Sequence, residues 1–129
     1  MSICYLWAAP ESTIENRPEA WAVHKDKWIF ANSLSTTLRY LTQVLDREDR
    51  AVISIPANNM GLLTLRCLCN LNCDVELHIH KVYFSDGHSL PLDTDTMKKF
   101  ADVLKEEGWR AYSDDELTTM ITETTEVSF

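Results

Sequence analysis

The chain has 129 residues, 45% of them hydrophobic and 25% charged, with a formal net charge of −8 and a sequence pI of about 4.8. This is enough for a single domain with its own core. The composition excludes a disordered chain, and the acidity excludes a free basic footprint for nucleic acid. No apolar run approaches the ~20 residues of a membrane span, and Met1 to Ala9 lacks the basic flank of a secretion signal, so a cytoplasmic protein is expected.

In chain order, Ile3 to Ala8 reads as a first strand, apolar on both faces and therefore central in a sheet. Residues 9–18, with Pro10 and Pro18, read as a loop. Ala20 to His24 and Lys27 to Ala31 read as two strands joined by a tight turn at Lys25-Asp26, an antiparallel hairpin. After Asn32 and Ser33, the residues Leu34, Leu38, Leu41 and Leu45 fall at i, i+4, i+7 and i+11, the spacing of an amphipathic helix.

Val52, Ile53 and Ile55 then form a β-branched run that Pro56 ends. Asn58 or Asn59 caps the next helix. Its apolar residues Met60, Leu62, Leu63, Leu65, Cys67, Leu68 and Leu71 cover most of the circumference, which predicts burial on more than one side. Val75, Leu77 and Ile79 alternate with Glu76, His78 and His80, the pattern of a strand with one apolar and one polar face. A strand–helix–strand unit of this length favours a parallel pair with a right-handed crossover.

Beyond it, Val82 to Phe84 extend the strand or begin another, and Ser85 to His88 make a turn. Asp93 or Thr94 caps a helix with the stripe Met97, Phe100, Ala101 and Leu104, and Gly108 is its C-terminal stop. Ser113 and Glu116 form a capping box for a last helix carrying Leu117, Met120 and Ile121. The expected domain spans residues 1–122, and the Thr- and Glu-rich residues 123–129 are expected to fray.

The order β-β-β-α-β-α-β-α-α predicts an α/β (α+β) protein with a mixed sheet of about five strands. By element order over roughly residues 2–108 it resembles the ribonuclease H-like fold. That resemblance implies metal-holding carboxylates on the first strand, the first helix and the end of the fourth strand. Here Ser2 to Ala8 and Leu34 to Leu45 contain none, and Asn58 and Asn59 follow the fourth strand. The resemblance therefore carries topology without its metal site.

Three constellations could carry chemistry. Glu76, His78 and His80 share one strand face, with Asp86 and His88 in the following turn, a candidate divalent-metal or pH-sensitive cluster. The plain alternative is the wet face of an edge strand. Asn58, Asn59 and Gly61 stand at a helix N-terminus beyond a strand, where open α/β sheets bind nucleotides or anions, although no glycine-rich loop or lysine accompanies them. Cys4, Cys67, Cys69 and Cys73 contain no CxxC pair and read as buried reduced thiols. A zinc site from Cys69, Cys73 and a histidine is the lesser alternative. No serine elbow is present.

Charge is uneven. Residues 86–129 hold 11 acids and 4 bases, a net of −7, against 9 acids and 8 bases before them. A one-signed patch attracts basic partners. The leading expectation is a small, non-enzymatic interaction protein, an inhibitor or antagonist of a nucleic-acid-handling complex from a mobile element. It would bind a basic protein surface through Asp93, Asp95, Asp102, Glu106, Glu107, Asp114, Asp115 and Glu116, with no cofactor. The alternatives are a metal-dependent hydrolase or nuclease using the cluster at 76–88, and a nucleotide- or anion-binding module at the 56–61 turn.

Overall fold

The computed structural model describes residues 3–9, 13–14, 25–46, 50–71, 75–80 and 94–127. They form an α/β sheet of five strands: β1 (Ile3–Trp7), β2 (Trp28–Phe30), β3 (Arg50–Pro56), β4 (Glu76–His80) and β5 (Ala111–Tyr112). Among the described residues the helices α1 (Leu34–Asp46), α2 (Asn59–Asn70), α3 (Thr94–Glu107) and α4 (Asp114–Val127) accompany it. The spatial order is β2-β1-β3-β4-β5, and every pairing is parallel.

Among the described residues this corrects the expected mixed sheet, and with it the ribonuclease H-like topology, whose first three strands are antiparallel; the expected hairpin falls partly outside them. Residues 20–24 lie outside the described residues. The strand from Trp28 runs parallel to β1, with Tyr5 opposite Trp28. Lys25 to Lys27 form a 3₁₀ turn leading into it. The physical reason is connection length: the chain between β1 and β2 is long enough for a crossover, which parallel strands require. The order 2-1-3-4-5 is doubly wound, with its switch point between β1 and β3.

Side-chain parity divides the core in two. Leu6, Ala51, Ile53, Ile55 and Leu77 face the first side, covered by Leu41 and Val44 of α1, by Leu62, Leu65 and Leu68 of α2, and by Phe100 of α3. Tyr5, Trp7, Trp28 and Val52 face the second, covered by Ile14 and by Leu117 and Ile121 of α4. The two C-terminal helices thus lie on opposite faces of the sheet.

Local signals act where the sequence places them. Asn58 caps α2, its side chain accepting from the Gly61 N–H at 3.0 Å. Ser113 and Glu116 close a reciprocal capping box at α4. Gly108, at φ +69°, ends α3, with Trp109 N–H donating to Leu104 O at 2.9 Å. One expectation fails. α2 is buried on one side, leaving Met60, Leu63 and Leu71 exposed, because apolar content alone does not say how much of a helix its neighbours cover. The last helix extends to Val127. Among the described residues no helix is long and apolar enough to cross a membrane.

Candidate functional site

A cavity of about 210 Å³ opens at the C-terminal ends of the strands, around the switch point. Ala8 and Ala9 follow β1, Asn32 and Ser33 follow β2, Pro56 ends β3 with Asn58 just beyond it, and His80 ends β4. Leu34 and Thr37 of α1 and Met60 and Thr64 of α2 complete its wall with Thr13. The N-termini of both helices therefore meet at one opening. The caps take one donor each: Ser33 Oγ accepts from Thr36 N–H at 3.2 Å, and Asn58 Oδ1 from Gly61 N–H. The remaining first-turn N–H groups of each helix carry partial positive charge toward the opening.

Gly61 makes the α2 turn tight. A Cβ at this position would overlap the Pro56 carbonyl oxygen and lie 2.8 Å from its carbonyl carbon. Only glycine lets the first turn of the helix approach the strand end this closely.

Beside the cavity lies a buried polar cluster. His78 and His80 of β4 are 0% and 1% exposed, and Ser54 of β3 is 0% exposed. Parallel pairing sets Ser54 opposite His78. Its Oγ lies 2.7 Å from His78 Nδ1 and 2.8 Å from His80 Nδ1. His78 Nε2 lies 2.8 Å from Oδ1 of Asp114, at the start of α4. The His80 ring stacks on Trp7, with centroids 3.9 Å apart and planes 11° apart. Trp7 Nε1 in turn donates to Thr13 Oγ1 at 2.8 Å.

Neither edge-strand exposure nor a pH-sensitive surface describes these histidines, because β4 lies between β3 and β5. Glu76, on the same face, is held elsewhere: it accepts from Arg50 and from the Tyr112 hydroxyl at the N-terminal end of the strands. Burial pushes its carboxyl upward, the largest single influence, but the hydrogen bonds from Arg50 and Tyr112 and the Arg50 charge together hold it below its ordinary value. Asp86 and His88 lie outside the described residues. Among the described residues no three His, Cys, Asp or Glu side chains are grouped to hold a metal. Both ring nitrogens of His78 are within hydrogen-bonding distance of other groups. Cys4, Cys67 and Cys69 are reduced thiols, half-buried rather than buried; Cys73 is outside the described residues.

The acidic residues do not converge. Asp95, Asp102, Glu106 and Glu107 are exposed on α3, interleaved with Lys98, Lys99 and Lys105. Asp114, Asp115 and Glu116 are on α4, across the sheet. Asp114 is bonded to His78, Glu116 is paired with Arg110, and Asp115 is exposed. Asp93 is outside the described residues. Ser54 was not singled out by sequence reasoning. The available signal was a lone serine in an apolar strand, on the parity that parallel pairing brings beside an H-x-H strand.

Comparison with family models, with curated proteins and with solved structures finds no match to this chain.

Proposed function

We propose that this protein binds a small organic anion in the cavity at the switch point of its sheet. One observation carries the reading: the N-termini of α1 and α2 converge on a cavity at the C-terminal ends of parallel strands. Helix N-termini favour anions, and this edge of an open α/β sheet is where ligands are held. Ala8, Ala9, Leu34, Pro56 and Met60 supply an apolar wall, and Asn32, Ser33, Asn58 and Thr64 supply neutral polar groups. That combination suits a compact organic acid better than a polyphosphate, which would call for lysine or arginine. The separation of α3 from α4 by the sheet weighs against a single acidic docking face. Reduced thiols fit a reducing, cytoplasmic setting.

The test is a thermal-shift panel of acetate, benzoate, inorganic phosphate and a nucleoside monophosphate, with calorimetry on whatever binds. An organic acid is expected to raise Tm. Met60→Trp, which fills the cavity from its exposed rim, is expected to weaken that binding at least about tenfold. A flat panel, or binding indifferent to Met60→Trp, overturns the proposal.

A further inference from the structure

The polar groups of the cavity wall differ in what they offer a ligand. At the helix ends they donate. Asn58 Oδ1 accepts from the Gly61 N–H, which fixes the carboxamide and leaves its Nδ2 hydrogens as donors. Together with the first-turn N–H groups of α1 and α2 they make the anion's end of the cavity.

Two threonines offer the opposite. Thr37 of α1 is 1% exposed and Thr64 of α2 is 5% exposed, and both line the cavity. The Thr37 hydroxyl donates to Ser33 O at 2.9 Å, and the Thr64 hydroxyl donates to Met60 O at 2.9 Å. A hydroxyl has one proton, so each oxygen has only lone pairs left to present. Among the described residues neither oxygen accepts a hydrogen bond. Each bond reaches back one turn, so each oxygen leans toward the N-terminal end of its helix, the end that opens on the cavity. Ser33 and Met60, which receive these bonds, line the cavity as well. A plain carboxylate has nothing for these two oxygens, because it accepts and does not donate.

We infer that the anion is a small hydroxy acid, held with its carboxylate at the helix N-termini and its hydroxyl donating to one of the two threonine oxygens. The inference rests on the anion-binding reading above and names the class of acid. An amino acid would also bring a donor, but its ammonium is a full charge. No carboxylate stands among the described lining residues, and burying an ammonium without one is costly. A hydroxyl is neutral and asks only for an acceptor. Ala8, Ala9 and Leu34 then meet the carbon skeleton of the acid.

The test is calorimetry of two matched pairs, lactate with propionate and mandelate with phenylacetate, with free phenylglycine as the amino-acid arm. Within each pair the acids share a skeleton and differ by the hydroxyl. In at least one pair the hydroxy acid is expected to bind at least about fivefold more tightly than its parent. Thr37→Val combined with Thr64→Val keeps the shape of both side chains and removes both oxygens. In this double variant the hydroxy acid is expected to fall to the affinity of its parent, while the parent changes by less than about twofold. Should circular dichroism show the double variant unfolded, the two single variants serve, and one of them is expected to lose the preference. Parents that bind as tightly as their hydroxy acids in both pairs, a preference that survives in the variants, or phenylglycine binding more tightly than mandelate overturns this inference while leaving the anion site intact. Failure of all these acids, and of benzoate and acetate, to bind removes both readings.

Discussion

Ser54 Oγ lies 2.7 Å from His78 Nδ1, where two adjacent strands of a parallel sheet bring a buried hydroxyl against a buried imidazole. The same hydroxyl serves His80. Polar groups this deeply buried are stable only when bonded, so one side chain satisfies two rings.

Removing that hydroxyl should therefore cost more than its size suggests. Ser54→Ala takes a partner from both Nδ1 atoms and is expected to destabilise the fold by about 2 kcal/mol. Ser54→Thr keeps the oxygen and adds one methyl group to a close-packed face, for about 1 kcal/mol. Urea denaturation distinguishes them. An alanine variant as stable as the parent would mean that the cluster contributes nothing to folding.

Gly61 gives a second prediction. Gly61→Ala sets a methyl group against the Pro56 carbonyl, and backbone atoms must move apart. A loss of about 3 kcal/mol is expected, together with loss of the proposed anion binding, since the α2 N-terminus would shift. Gly108→Ala meets no atom within 4 Å and carries only the strain of its φ of +69°, about 1 kcal/mol. Equal effects in thermal melts would contradict this account.

The Arg50–Glu76–Tyr112 cluster predicts a pH dependence. The Glu76 carboxyl is held below its ordinary value of 4.5, so its contribution is present above that value and disappears as pH falls through the folded-state pKa. The Tyr112 hydroxyl is pushed up, chiefly by its hydrogen bond to Glu76. Its contribution is complete below about pH 10 and disappears as pH rises through the raised value. Arg50 is 40% exposed, so solvent screens the pair, and Glu76→Gln is expected to cost about 1 kcal/mol at neutral pH. Denaturation midpoints measured from about pH 3 to about pH 7 should show a flatter acid limb in this variant.

The capping box at α4 yields the simplest test. Ser113→Ala removes the acceptor for Glu116 N–H and should cost about 1 kcal/mol. Because Asp114 is the next residue, Ser113→Ala should also loosen the bond to His78. Hydrogen exchange at Asp114 to Leu117 reads that loosening directly.

What the sequence disclosed was local. The Asn58 cap, the Ser113–Glu116 box, the Gly108 stop and the unit from Val52 to Ile79 each follow from neighbouring residues acting on one another. What it concealed was relative placement. The aromatic run at Trp28 carries no mark of whether it pairs forwards or backwards, and tertiary context chose parallel. Ser54, His78 and His80 become one site only through the register of β3 against β4. Asp114 reads as a favourable acid at a helix start and is one, but only the fold brings it to His78. The acidic third was legible as composition; that a sheet stands between its two helices was not.

The stacking of Trp7 on His80 equips the molecule with an indicator of its own. An indole face laid 3.9 Å from an imidazole responds electronically to any charge that ring acquires. Ultraviolet emission from Trp7 would register the occupancy of a neighbouring hollow that itself contains no chromophore.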